Sequence, residues 1–185
     1  MWSNTKLLVT AGFLIIITGF SLLWFGLKSD PQIQYQSSPI ATTSAVVGLA
    51  GERVLVTKVV DGDTIEVQGN LSVRFIGIDT PETVDPRRPV GCFGKEASNE
   101  VKSLLTNKEI ILQKDISDKD KYDRLLRLIF LPLPDGQILF VNDYLVREGF
   151  ARVLTYPPDV KYNEQLRQAE NEAKQFKRGL WGDCN

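Results

Sequence analysis

The sequence contains no histidine in 185 residues and has only two cysteines, Cys92 and Cys184. Histidine is the side chain most often used for proton transfer near neutral pH, so its absence makes a carboxylate the natural candidate for a general base. Two cysteines without a histidine cannot supply the four ligands of a zinc site. Their even count favours a disulfide outside the cytoplasm, and the alternative is a pair of free thiols.

The chain also lacks an excess of positive charge, since 22 basic and 23 acidic residues give a net charge of −1. A nucleic-acid binder is more often basic overall. Any contact with a polyanion must therefore come from a local basic cluster rather than from a global positive field. This balance argues against a tight, non-specific binding module, and it argues less against an enzyme, which must release its product.

Residues 7–27 carry no charge and are predominantly apolar. About 20 apolar residues span the hydrocarbon core of a bilayer, whereas the apolar core of a cleaved signal is usually shorter. We therefore expect an uncleaved membrane anchor in residues 1–28, with a cleaved signal peptide as the alternative. Lys6 before the span and Lys28 after it weakly favour an orientation in which the rest of the chain lies outside the cytoplasm.

Residues 29–50 are rich in Ser, Thr, Gln and Pro, so they predict a polar linker that leads into one folded domain over residues 51–185. Alternating apolar residues in that domain predict strands, and apolar residues at helical spacing predict helices. The strands are expected at 53–60, 64–67, 72–78, 109–113 and 125–131, with an extended stretch at 150–154. The helices are expected around 97–105, 141–148 and 162–177. This α+β order predicts a small barrel with helices packed beside it.

Acidic side chains gather at predicted strand ends, where turns can bring Asp61, Asp63 and Asp79 together. Carboxylates packed closely repel one another, and a divalent cation relieves that repulsion. Calcium takes six to eight oxygen ligands, which include backbone carbonyls. We therefore expect Asp63, Asp79 and the Thr80 carbonyl to bind Ca²⁺. The alternative for Asp61 and its neighbour Gly62 is a simple turn.

Two arginines and a glutamate, Arg74, Arg124 and Glu82, accompany these aspartates. Arginine matches phosphate oxygens with paired hydrogen bonds, and a carboxylate can take a proton from water. Each residue alone has an ordinary alternative. Arg74 can be an ion-paired strand residue, Glu82 a turn residue or helix cap, and Arg124 the end of a solvated charged hairpin. Their joint occurrence with the aspartates favours the cleavage of a phosphodiester bond.

Two blocks of sequence contain all of these residues. The first reads Asp-Gly-Asp-Thr-Ile at residues 61–65 and continues as Arg-Phe-Ile-Gly-Ile-Asp-Thr-Pro-Glu at residues 74–82. The second reads Asp-Lys-Tyr-Asp-Arg at residues 120–124. From Val54 to about Trp181 the chain resembles the thermonuclease, or staphylococcal nuclease-like, family. The resemblance implies a five-stranded OB-fold barrel with three helices.

The resemblance also implies an activity and a set of site residues. The activity is calcium-dependent hydrolysis of DNA and RNA to 3′-phosphate products, and we expect a monomer. The implied residues are Asp63, Asp79 and Thr80 for Ca²⁺, Arg74, Glu82 and Arg124 for catalysis, and Lys121 and Tyr122 for nucleotide contact. The alternative is a non-catalytic barrel of the same fold that binds nucleic acid or protein.

This sequence departs from the family pattern at Asp123, where a small residue is usual. A carboxylate at this position has two alternative effects on the neighbouring site. It can pair with Arg124, or it can repel a phosphate. The hairpin between Val67 and Arg74 is also shorter than the family norm, which should trim a turn without moving Arg74.

Overall fold

The computed structural model describes residues 50–83, 86–87 and 89–184, so the predicted membrane anchor and nearly all of the predicted linker lie outside the described residues. Within the described part, no helix has the length and apolar character needed to cross a membrane. The strands are β1 Glu52–Asp61, β2 Thr64–Val67, β3 Leu71–Phe75, β4 Ile78–Asp79, β5 Glu109–Gln113, β6 Leu125–Pro132, β7 Ile138–Phe140 and β8 Arg152–Val153. The helices are α1 Gly94–Leu105, α2 Val141–Arg147, α3 Asn163–Gln175 and α4 Leu180–Asp183.

Five of the described strands form a closed barrel. Antiparallel pairings join β3 to β2, β2 to β1, β1 to β5 and β5 to β6. A parallel pairing between β3 and β6, with Arg74 opposite Leu126, closes the ring. Strand β7 pairs with β6, while β4 and β8 form a separate two-stranded sheet. This is the five-stranded OB-fold architecture with packed helices that the resemblance implies.

Residues with positive φ shape the turn before β3 and the break after it. Gly69 and Asn70 have φ values of 82° and 58°, which suit a tight hairpin turn. The prediction of one strand over residues 72–78 is wrong, because the structure divides it into β3 and β4. Gly77, between the two strands, has a φ of 79°, a conformation that interrupts an extended strand. The break allows Asp79 to return to the side of Arg74.

The core fills the barrel and the space under the three longer helices. Inward-facing strand residues such as Val56, Ile65 and Val73 have no more than 1% of their surface exposed. Asn142 at the start of α2 is also fully buried. Its Nδ2 donates to the Ile76 carbonyl at 2.9 Å, and its Oδ1 accepts from the Ile129 N–H at 2.9 Å. A buried amide with both ends paired fixes α2 against the barrel.

A disulfide between Cys92 and Cys184 joins the loop before α1 to the end of α4, with 5.9 Å between their Cα atoms. The two cysteines lie 92 residues apart in the sequence, so the bond closes a long loop. Such a cross-link stabilises a fold mainly by reducing the entropy of the unfolded chain. The bond therefore restricts the unfolded chain over about two thirds of the described domain.

We expect the double substitution Cys92→Ser and Cys184→Ser to lower the free energy of unfolding by about 2–5 kcal/mol. Urea denaturation of the oxidised protein and of the double variant measures this difference. Wild-type protein reduced with a dithiol is the matched control, because it should lose a similar amount of stability. An unchanged denaturation midpoint in both samples would contradict the prediction.

Candidate active site

Side chains from both sequence blocks line one cavity at the end of the barrel. The cavity has a volume of about 280 Å³. Its lining residues are Val60, Asp61, Asp63, Thr64, Arg74, Asp79, Thr80, Glu82 and Arg124. The structure therefore brings together all six residues that the sequence assigns to catalysis and metal binding.

Arg74 bridges the two aspartates of the predicted metal site. The register of β2 and β3 pairs Thr64 with Arg74, which sets the arginine beside Asp63. The Arg74 Nη1 contacts Asp63 Oδ2, and its Nη2 donates to Asp79 Oδ1 at 2.8 Å. Burial lowers the pKa of Arg74, Asp79 opposes that effect, and the nearby Arg124 cation adds to it. Both guanidinium groups line the same cavity, so both can act on one anion bound there.

Asp63 is held rigidly, and only 6% of its surface is exposed. Its Oδ2 accepts hydrogen bonds from the N–H of Thr80 at 3.0 Å and from the Thr80 hydroxyl at 3.1 Å. Its Oδ1 accepts one from the Thr64 hydroxyl at 3.0 Å. The Asp79 side chain is half-exposed and faces the cavity. These bonds fix one carboxylate and leave the other open to solvent.

The donor set fits a calcium ion. Asp63 and Asp79 present hard carboxylate oxygens to a single positive group, the Arg74 guanidinium, and Thr80 lies directly beside Asp63. No three acidic, histidine or cysteine side chains among the described residues cluster as a metal site. Calcium accepts backbone carbonyl and water oxygens as well as carboxylates, so Asp63, Asp79 and the Thr80 carbonyl are groups that could hold it.

Glu82 is positioned by the loop that follows β4. Its Oε1 accepts from the Thr83 N–H at 3.0 Å, and its backbone carbonyl accepts from the Gly91 N–H at 2.8 Å. The Thr83 hydroxyl donates to Asp61 Oδ1 at 2.7 Å, and the Gly62 N–H donates to the same oxygen at 2.7 Å. Asp61 therefore forms the turn and anchors the Glu82 loop, instead of joining the pair of aspartates on Arg74.

Arg124 is oriented by Asp120. The Asp120 Oδ2 accepts from Arg124 Nε at 2.7 Å and lies 2.6 Å from its Nη2. The Asp120 Oδ1 accepts from the N–H groups of Tyr122 at 2.9 Å and of Arg124 at 3.1 Å. Burial opposes the ionisation of Asp120, but these hydrogen bonds outweigh it and lower its pKa. An ionised Asp120 thus fixes both the loop and the guanidinium.

Asp123 pairs with Lys119 at 2.8 Å, so it does not take the alternative of pairing with Arg124. Its side chain points largely into solvent, with 83% of it exposed. Its φ is 66°, in the left-handed region that glycine, asparagine and aspartate adopt most readily. An aspartate is therefore compatible with the backbone at this position.

We expect Asp120→Asn to lower kcat on the order of 10- to 100-fold, because a small misplacement of a catalytic group has effects of that size. An amide retains one acceptor for the backbone, but its NH₂ group opposes the N–H donors of Arg124. The measurement is steady-state hydrolysis of a polynucleotide beside a thermal unfolding curve. Asp118→Asn, which removes an exposed partner of Arg127 on the same hairpin, is the matched control. Equal kcat values for the two variants would contradict a positioning role for Asp120.

A second cavity, of about 800 Å³, shares Arg74, Asp79 and Arg124 with the first. Lys121 and Tyr122, to which the resemblance assigns nucleotide contact, line it. Tyr122 has 67% of its surface exposed. The Lys121 Nζ lies 5.0 Å from the centre of the Tyr122 ring, and the Arg124 Cζ lies 5.4 Å from it. An exposed aromatic face between cations is suited to stacking a nucleobase.

Sequence reasoning gave no role to three residues at these cavities: Asp120, Tyr156 and Asp159. Asp120 and Arg124 lie in a turn rather than a helix, so their i,i+4 spacing does not by itself predict their ion pair. Tyr156 lines the larger cavity with 69% of its surface exposed. Asp159 Oδ1 accepts from the N–H groups of Ile116 and Ser117 at 3.0 and 2.8 Å. Its partners lie more than 40 residues away in the sequence, so no local sequence pattern predicts this contact.

These observations define the protein as a small OB-fold barrel with an acid–arginine site suited to a phosphate ester. The family described as staphylococcal nuclease homologue matches residues 72–183. The thermonuclease of Staphylococcus hyicus is 36% identical over 179 residues, which cover 95% of this chain and 98% of that protein. The thermonuclease of Staphylococcus intermedius is 38% identical over 176 residues, covering 94% and 97%. Endonuclease YncB of Bacillus subtilis is 39% identical over 133 residues, covering 69% and 61%. The chain therefore belongs to the thermonuclease-like, staphylococcal nuclease family, as its motifs predicted.

Proposed function

We propose that this domain is a calcium-dependent nuclease that hydrolyses DNA and RNA and leaves 3′-phosphates. The observation that carries the proposal is the meeting of Glu82, Arg74 and Arg124 in one cavity with Asp63 and Asp79. A polyanionic substrate needs cationic groups at the scissile phosphate, and hydrolysis needs a base for the attacking water. The names of the thermonuclease and endonuclease relatives support the same activity.

In the proposed reaction, water attacks phosphorus and its proton passes to the Glu82 carboxylate. The bond from phosphorus to the 5′ oxygen of the next nucleotide breaks, and that oxygen takes a proton from the solvent and leaves as a hydroxyl. Glu82 then returns its proton to the solvent. The phosphate remains on the 3′ oxygen. Arg74 and Arg124 hold the phosphate oxygens with paired N–H donors while negative charge develops on them.

Asp63, Asp79 and the Thr80 carbonyl are the groups that would hold Ca²⁺. Calcium supplies Lewis-acid stabilisation of the phosphate and helps to orient water. The work of this chain's own residues is to keep those ligands in place. Thr80 holds Asp63 through two hydrogen bonds, and Asp61 holds the Glu82 loop through Thr83. Tyr122 and Lys121 contact the neighbouring nucleotide in this proposal.

The proposal also places the domain outside the cytoplasm as a monomer, anchored by residues 7–27 or exported after their removal. Its support is the uncharged N-terminal segment, the polar linker and the disulfide. Disulfides persist in oxidising compartments. Protease treatment of intact cells tests the orientation, since an outward-facing domain is digested without lysis. Protection that is lost only on lysis would overturn it.

The nuclease activity is tested with residues 51–185 and with the full chain, on plasmid DNA and on RNA, in calcium or in a chelator. We expect cleavage of both substrates in calcium, loss of cleavage in the chelator, and recovery when calcium is returned. End-labelling distinguishes 3′-phosphate from 5′-phosphate products. Retained binding without cleavage in calcium would instead support the non-catalytic barrel.

A further inference from the structure

A third cavity adjoins the active-site cavity and shares no lining residue with the larger cavity lined by Lys121 and Tyr122, which we call the nucleotide cavity. It has a volume of about 240 Å³. Its lining residues are Val60, Thr83, Lys95, Ser98, Asn99 and Lys102. Four of these come from α1, and Lys95, Asn99 and Lys102 follow the spacing i, i+4 and i+7 of a single helix face. The helix therefore turns two lysines and an amide toward one opening.

The three cavities adjoin one another in a row. The nucleotide cavity shares Arg74 and Arg124 with the active-site cavity. The active-site cavity shares Val60 with the third one. Thr83, which lines the third cavity, donates a hydrogen bond to Asp61, which lines the active-site cavity. The third cavity is therefore next to the active-site cavity, within reach of a strand that continues past the active site.

The charges of the third cavity are available for an anion. Elsewhere on the domain, lysines such as Lys58, Lys119 and Lys174 form ion pairs with carboxylates. No ion pair among the described residues includes Lys95 or Lys102, and both side chains are exposed. Because the chain has a net charge of −1, its contacts with a polyanion must come from local clusters of this kind.

We propose that Lys95, Asn99 and Lys102 form a subsite for a backbone phosphate of the same polynucleotide strand. That phosphate lies beyond the scissile bond, on the side away from the nucleotide cavity. The lysines attract it as point charges, and Asn99 donates a hydrogen bond to a phosphate or sugar oxygen. The subsite reads no base, so it makes the enzyme prefer long strands over short ones. This inference rests on the proposed nuclease function and extends it to the length of strand that is bound.

The test compares two double variants. The first, Lys95→Gln/Lys102→Gln, removes the charges of the third cavity, and the second, Lys108→Gln/Lys177→Gln, is the control. The control variant removes the same number of charges, at exposed lysines that line none of the three cavities. Substrates are single-stranded oligodeoxynucleotides of about three and about twelve nucleotides. We expect the ratio of kcat/KM for the long substrate to that for the short one to fall about fivefold or more in the first variant, through KM. We also expect the slope of log(kcat/KM) against log[salt] to become shallower by about 0.7 for each phosphate that the variant no longer binds.

Binding of the same oligonucleotides to Glu82→Gln protein, measured by fluorescence anisotropy, separates this inference from the proposed function. If the protein with Glu82 intact does not cleave, but Lys95→Gln/Lys102→Gln selectively weakens binding of the long strand, the subsite stands and the nuclease proposal fails. If cleavage occurs and both lysine variants keep the wild-type length ratio and salt slope, the subsite is wrong and the nuclease proposal stands. If the protein binds neither oligonucleotide, both proposals are wrong.

Discussion

Replacing Glu82 with glutamine should lower kcat by about 10²- to 10⁴-fold while leaving the fold intact. The amide has the shape of the carboxylate, and its oxygen can still accept the hydrogen bond from the Thr83 N–H. It cannot take a proton from water. With no histidine in the chain, no side chain of the type most often used as a base is available to replace it. The measurement is kcat with saturating substrate and calcium, beside the thermal unfolding midpoint.

The matched control is Glu109→Gln, which neutralises an exposed glutamate whose partner is Arg53, away from the cavity. This variant should retain wild-type kcat, because surface ion pairs contribute little to stability. If folded Glu82→Gln protein retains near-normal kcat, Glu82 has no part in proton transfer. The proposed mechanism then needs another acceptor for the proton of water.

Local patterns were sufficient to predict most barrel strands. The expected strands at 53–60, 64–67, 109–113 and 125–131 are confirmed to within two residues at each end. Each of these strands has apolar residues that are buried in the barrel. Because their burial stabilises the strand, the alternation of apolar residues in the sequence predicts it. The three predicted helices are confirmed to within three residues for the same reason. Apolar faces of α1 and α3 pack on the core through residues such as Val101, Leu105 and Leu166.

Non-local geometry accounts for the elements that sequence reasoning missed. The pairing of β3 with β6 joins residues about 50 positions apart, so no local sequence pattern indicates this pairing or its parallel register. Strand β7 has only three residues, and helix α4 has four, too few for a period to appear. The glycine at position 77 fits a continuous alternation in the sequence, but its positive φ ends that alternation in the structure. A lone glycine in a strand pattern is a signal for such a break.

The candidate site likewise contains residues that the sequence predicted and supporting residues that it did not. That Asp63, Arg74, Asp79, Glu82 and Arg124 lie together was predictable, because they occur jointly in two sequence blocks that resemble the thermonuclease family. The residues that hold them were not, because their role lies in hydrogen bonds to backbone groups and hydroxyls. Asp120 serves Arg124 in this way, and Asp61 serves the loop that carries Glu82. Acceptors of this kind look like ordinary turn residues in a sequence.

Replacing Arg124 with lysine should lower kcat on the order of 10²- to 10³-fold, although the charge is unchanged. In the structure Nε and Nη2 of Arg124 engage Asp120, and Arg124 also lines the cavity. In the proposed mechanism the same guanidinium must therefore hold Asp120 and bind a phosphate. Lysine has a single nitrogen at the end of a flexible chain, so it cannot hold Asp120 and grip a phosphate in the same fixed geometry. The measurement is kcat and KM for a polynucleotide at constant salt.

Arg53→Lys is the matched control for Arg124→Lys, since Arg53 pairs with Glu109 on the surface and should tolerate the change. Combining Arg124→Lys with Asp120→Asn provides a second test. If Asp120 acts through Arg124, the two reductions in kcat should be strongly non-additive, because both remove the same oriented guanidinium. Full activity in Arg124→Lys protein would show that a positive charge alone is sufficient there. Additive reductions in the double variant would show that Asp120 acts on the site by a different route, most directly through the backbone N–H groups of Tyr122 and Arg124.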